Sequence, residues 1–136
     1  MTDTISIPIL HGVCAGRGIP DDLTDWEIAG HRDVRVDVLS DTQSRYAWIR
    51  VDGFSLEKKH IIDGDLLLTR ITRTYADGHL GIWQTPHGRT AKYGYYDPDG
   101  FIVLHNDDGW RQTWEPGEVT LFGLVERIER DAPALI

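Results

Sequence analysis

The feature that most limits what this chain can fold into is a series of short apolar segments cut off by turn-forming pairs. Val34, Val36 and Val38 alternate with Arg35 and Asp37, and Ala47, Ile49 and Val51 alternate with Trp48 and Arg50. This period of two predicts half-buried strands. Further strand candidates are Leu66-Leu67-Leu68, Leu80-Gly81-Ile82-Trp83, Thr90 to Tyr96, Phe101-Ile102-Val103-Leu104 and Val119 to Ile128. Between them stand Asp63-Gly64, Asp77-Gly78, His87-Gly88, Asp97-Pro98-Asp99-Gly100 and Asp108-Gly109, each with residues that favour tight turns. The pattern predicts a mainly β, antiparallel domain. Helix is scarce, and one turn fits Ser55-Leu56-Glu57-Lys58-Lys59. The run Val119 to Val125 is apolar on both faces, so it is either a central strand or one that meets another subunit.

Residues 1–30 read differently. Ile5 to Leu10 forms a short strand candidate that Pro8 confines to a sheet edge. Gly12, Gly16, Gly18, Pro20 and Asp21-Asp22 follow, which predicts an extended arm. The expected division is therefore an arm over 1–30 and a folded domain over 31–136.

The whole chain has 136 residues, enough for one domain. Its 40% hydrophobic and 26% charged content suits a packed core. The net charge of −8 repels phosphate, so direct nucleic-acid binding is not expected. No apolar run approaches the roughly 20 residues of a membrane helix. The N-terminus lacks the basic and apolar regions of a secretory signal. A single cysteine, Cys14, excludes an internal disulfide and suits a reducing cytoplasm.

Two residues carry candidate chemistry. Ser55 follows Gly53, which permits a tight turn, and Lys92 lies on a strand candidate in the run Thr90-Ala91-Lys92-Tyr93. A serine hydroxyl needs a base to become a nucleophile, and a lysine serves only when neutral. An unperturbed lysine has a pKa of about 10.4, and burial lowers it by up to roughly 3–5. Lys92 has the apolar local sequence that this requires, and the nearest acid along the chain is Asp97. On a strand, Thr90, Lys92, Gly94 and Tyr96 share a face, and Gly94 leaves room for another backbone. A helical turn beginning at Ser55 aims the backbone N–H groups of Phe54 and Ser55 at a developing oxyanion.

The chain resembles the self-cleaving domain of LexA-type repressors and the related UmuD-type proteins, from about Pro8 to Arg130. Pro8 to Gly16 is similar to the family's cleavage segment, which commonly ends in Ala-Gly. Val51-Asp52-Gly53-Phe54-Ser55-Leu56 and Ile62-Asp63-Gly64-Asp65-Leu66-Leu67 are similar to its nucleophile segment and following Asp-Gly-Asp. Thr90-Ala91-Lys92 is similar to its base strand, at the family's interval from the serine, and Gly123 to Arg130 is similar to its closing strand. Two departures stand out: Phe54 replaces the usual acid before the serine, and Tyr93 replaces a basic residue after the lysine.

The resemblance implies a compact, partly barrel-like domain with a Ser55–Lys92 dyad that cuts the Ala15–Gly16 bond. It also implies an oxyanion hole at Phe54 and Ser55, a homodimer formed through the last strand, and triggering by the RecA filament in a DNA-damage response. The expected partners are a repressor or a translesion polymerase, as a short regulator, a polymerase accessory subunit or one part of a longer repressor. The competing expectation is a weakly cleaving or non-catalytic dimerisation module. A signal-peptidase relative is disfavoured, because that class needs a membrane anchor.

Other candidates have plainer readings. His60, His79, His87 and His105 match no metal-ligand spacing, so neither a metal nor another cofactor is expected. Asp97-Pro98-Asp99-Gly100 and Asn106-Asp107-Asp108-Gly109 lack the Glu of a calcium loop and read as hairpin turns. Asp63 and Asp65 read as turn residues rather than an acid pair. Cys14 reads as a small side chain beside the cut bond. The five tryptophans read as core or interface residues.

Overall fold

The computed structural model describes residues 3–13, 28–51, 64–86, 88–106 and 109–130. Nine strands are present among them: β1 (Thr4–Val13), β2 (Ile28–Arg35), β3 (Tyr46–Val51), β4 (Leu66–Ile71), β5 (Leu80–Thr85), β6 (Gly88–Tyr96), β7 (Ile102–His105), β8 (Arg111–Trp114) and β9 (Thr120–Glu129). They form one sheet in the order β2-β1-β3-β4-β9-β5-β6-β7-β8. The fold is mainly β, as the punctuated sequence predicts. None of its helices is long and apolar enough to cross a membrane, among the described residues. The helical turn expected at Ser55–Lys59 lies outside the described residues.

The sheet is mixed rather than wholly antiparallel. β1 runs antiparallel to β2 but parallel to β3, with Ile9 opposite Trp48 and Leu10 opposite Ile49. A parallel neighbour requires the chain to cross back before pairing. Here β2 and the segment after it make that return. The edge position expected for β1 is thereby corrected, since it has partners on both sides. Pro8 is tolerated because it lies opposite His31 of β2, one residue before the pairing with β3 begins at Ile9. The Val34–Val38 alternation is also cut short. β2 ends at Arg35, and Val36–Val38 form a 3-10 turn in which the Leu39 amide donates to the Val36 carbonyl.

β9 resolves the ambiguity of its doubly apolar sequence. It is central, paired antiparallel with β4 on one side and β5 on the other. β3 is likewise covered on both faces. Ala47, Ile49 and Val51 enter one buried cluster with Leu10, Leu67, Ile82, Ala91 and Phe122. Tyr46 and Trp48 enter another with Ile7, Ile9, Leu66 and Leu68. A third cluster gathers Trp83, Leu104, Trp114 and Leu121 under β7 and β8. The sheet curls far enough for β1 to touch β6, five places away in strand order, but it does not close. Area buried in these clusters supplies the main driving force for the fold.

The turns use their side chains as the sequence suggests. At Asp97–Gly100, Asp97 Oδ1 accepts the amides of Asp99 (2.9 Å) and Phe101 (3.0 Å), and Gly100 takes a φ of +87°. That positive φ is why glycine stands there.

Gly123 has a different reason. β9 approaches β4 so closely that a Cβ would lie 2.5 Å from the Arg70 carbonyl oxygen and 2.6 Å from Thr69 Cγ2. Neither the backbone atom nor the buried Thr69 can yield cheaply. Gly123→Ala is expected to reduce stability by about 1–3 kcal/mol, the usual cost of overpacking. Urea unfolding measures it, and an unchanged midpoint would mean that β4 can shift aside.

A polar knot joins the 36–45 segment to the sheet. Glu126 accepts hydrogen bonds from the Tyr46 hydroxyl (2.9 Å), the Arg70 Nε (3.0 Å) and the Ser40 hydroxyl and amide. Burial pushes its carboxyl up, but the Ser40, Tyr46 and Arg70 hydrogen bonds outweigh this and hold it below its ordinary value of 4.5. A depressed carboxylate stabilises the fold above its unfolded pKa and stops doing so as pH falls through the folded value. Glu126→Gln is therefore expected to cost about 1–3 kcal/mol at pH 7. The gap from the wild type should narrow as pH falls below about 4.5. Parallel urea titrations across pH check this; a gap of constant size would show that the charge contributes nothing.

Candidate functional site

Strand alternation sets the environment of Lys92. Ala91 points into the cluster shared with Leu10 and Val51 and is fully buried. Its neighbour Lys92 therefore faces the other side of β6, towards the β7–β8 hairpin. There it lines a hollow of about 240 Å³ with Thr90, Leu104, Trp110, Gln112 and Trp114. No carboxylate of the described residues lines this hollow. The amine sits over the Trp110 ring, with Nζ 5.4 Å from its centroid.

The backbone at Lys92 is held firmly. Lys92 pairs with Gly81 of β5, and its carbonyl accepts the Trp83 indole N–H at 3.0 Å. The space beside Gly94 is not open to another backbone, contrary to the sequence expectation. A Cβ there would lie 3.0 Å from Trp83 Cζ2 and 3.3 Å from Leu104 Cδ2, so two core side chains already fill it. The Gly94 amide donates to the Tyr75 hydroxyl at 3.2 Å.

Ser55 and Phe54 lie outside the described residues, as do Ala15, Gly16 and Cys14. The chain on either side of Ser55 is described. Val51 ends β3, and the chain returns at Gly64. The two ends are tied directly: the Gly64 amide donates to the Val51 carbonyl at 2.8 Å, and the Val51 amide donates to the Asp65 carbonyl at 2.9 Å. Asp65 is fully buried, and its carboxylate accepts Arg130 Nε at 2.7 Å and Nη2 at 3.0 Å. The fork-to-carboxylate geometry is the strongest form of ion pair. Arg130 is raised further above its ordinary value by that hydrogen bond.

The described ends of two predicted segments thus meet β6 beside Lys92, although the Lys92 side chain faces the opposite side of that strand. Leu10 lies five residues before Ala15, Val51 lies four before Ser55, and Ala91 adjoins Lys92; all three side chains belong to one buried cluster. Asp65 lies in the connection between β3 and β4, as its Asp-Gly-Asp context suggested, but it is also the buried half of an ion pair whose guanidinium is half-exposed. That pairing joins residues too far apart in sequence to be recognised locally. The Trp110 contact with Lys92 was equally invisible, because a hairpin brings them together. His105, listed among the scattered histidines, stacks on Tyr93 with centroids 5.9 Å apart. Among the described residues no three His, Cys, Asp or Glu side chains gather as a metal site.

The ion pair is unequal, and this gives a test. Arg130→Ala leaves a fully buried carboxylate without its guanidinium, whereas Asp65→Asn leaves a half-exposed guanidinium that water can solvate. The arginine variant is expected to lose more stability in urea, and the double variant to recover part of that loss. Equal losses in the two single variants would mean that Asp65 is not effectively desolvated.

No family model and no curated protein matches this chain.

Proposed function

We propose that this chain is a self-processing serine peptidase of the LexA/UmuD type. The observation that carries the reading is the shared cluster of Leu10, Val51 and Ala91. It sets the described flanks of Ala15 and Ser55 against β6 at Ala91, the residue before Lys92, whose own side chain faces the other side of that strand.

In this mechanism neutral Lys92 takes the Ser55 proton as the serine oxygen attacks the Ala15 carbonyl carbon. The backbone amides of Phe54 and Ser55 stabilise the resulting oxyanion. Collapse breaks the bond between the Ala15 carbon and the Gly16 nitrogen, and the Lys92 ammonium returns a proton to the departing amine. Water, deprotonated by Lys92, then hydrolyses the ester and frees Ser55. Holding the target and the nucleophile on one chain supplies an effective molarity of about 10⁵–10⁸ M once the two meet. Control therefore lies in how often they meet, and a RecA filament is the trigger that the family resemblance suggests, in the cytoplasm of a cell with damaged DNA.

A homodimer through β9 belongs to the same reading. Gly123 to Val125 have strands on both sides, but β5 begins opposite Val125. Glu126 to Glu129 extend past it, and Ile128 is exposed. A repressor or a translesion polymerase is the further partner class.

Intact-mass analysis after incubation between pH 7 and 10 tests the chemistry. A fragment beginning at Gly16 is expected, appearing about tenfold faster per pH unit until Lys92 is neutral. Ser55→Ala and Lys92→Ala should stay whole. A rate flat across this range, or the same fragment from either variant, would refute the dyad. An uncut wild-type chain at every pH would favour the non-catalytic module.

A further inference from the structure

Lys92 meets an aromatic face that a general base does not need. Trp110 stands at the tip of the β7–β8 hairpin and is 40% exposed, while the hollow's other tryptophan, Trp114, is buried in the third cluster. Its backbone is fixed by two bonds to Asn106: the Asn106 amide donates to the Trp110 carbonyl, and the Trp110 amide donates to Asn106 Oδ1, both at 3.2 Å. The indole itself reaches over the Lys92 amine at 5.4 Å.

We propose that Trp110 is a removable cap on the Lys92 base: while its indole lies over the amine it favours the ammonium form and slows self-cleavage, and its displacement releases the neutral base. This rests on the Ser55–Lys92 reading above.

Two effects of the ring oppose each other. Its negative face attracts the ammonium but not the neutral amine, which favours protonation. Its bulk excludes water, which disfavours protonation. The first wins here because Lys92 is only half-buried and Trp110 is itself exposed, so the amine keeps access to water. Arg89 lines the same hollow from β6, while Gln112, Leu104 and Thr90 are uncharged. His105 of β7 stacks on Tyr93. Asp107 and Asp108, between Asn106 and Gly109 in sequence, lie outside the described residues and enter the test as variants.

The test titrates the Lys92 side chain by NMR, using labelled lysine in a Ser55→Ala background that does not require cleavage. Trp110→Leu, which keeps apolar cover but removes the π face, is expected to lower the midpoint so that neutral amine is roughly two- to fivefold more abundant below it. Trp110→Phe should fall between Trp110→Leu and the parent. The shift should persist in Asp107→Asn and Asp108→Asn backgrounds. An unchanged or raised midpoint in Trp110→Leu, or loss of the shift in either aspartate background, overturns the cap. With Ser55 restored, Trp110→Leu should cleave two- to fivefold faster near neutral pH and equally fast at high pH. A chain that never cuts would defeat the peptidase reading while the titration still decides the role of Trp110.

Discussion

Packing of Leu10, Val51 and Ala91 into one buried cluster is the constraint on which the candidate site depends. These residues come from β1, β3 and β6, and β6 is separated from the other two by several strands in the sheet. They meet only because the sheet curls. The curl in turn rests on β9, whose central place between β4 and β5 joins the two halves of the sheet. The close approach at Gly123 and the Glu126 knot both sit on that strand.

If Lys92 is the base of the proposed peptidase, its surroundings contain a conflict that suits a regulated reaction. A lysine base needs an environment that disfavours its charge, yet the Trp110 ring favours it. An enzyme cutting foreign substrates gains nothing from such an opponent. A chain that carries its own target does, because a permanently neutral base at high effective molarity would destroy the protein before any signal arrived. A second restraint is mechanical. The described residues on either side of the Ser55 segment, Val51 and Gly64–Asp65, are tied by backbone hydrogen bonds and by the Asp65–Arg130 pair.

What the sequence revealed follows from the range of each signal. Turn pairs and period-two alternation act over a few residues, so β3 to β7 and β9 were legible almost in place, whereas the four-residue β8, Arg111–Trp114, was not among the expected strands. The central position of β9 was legible as one of two outcomes, because doubly apolar sequence demands cover on both faces. The parallel β1–β3 pair was not legible. Pro8 argues for an edge only until the register is known, and the register places it just outside the parallel ladder. Val36 and Val38 misled because alternation alone cannot show where an edge strand stops. The partners of Asp65 and Lys92 were hidden because each contact depends on the tertiary path. Gly94 was correctly marked as a place of close approach, where the Trp83 and Leu104 side chains and, at 3.5 Å, the Val103 carbonyl oxygen come near.

If one chain holds both the reacting groups and the bond they cut, dilution is the most direct probe. The first-order rate constant for loss of the intact chain, followed by mass at a fixed alkaline pH, is expected to stay the same across a hundredfold range of protein concentration. A rate constant that rises in proportion to concentration would mean that the segments gathered at Leu10, Val51 and Ala91 do not act within one molecule, and would contradict the assembly of the site by this fold.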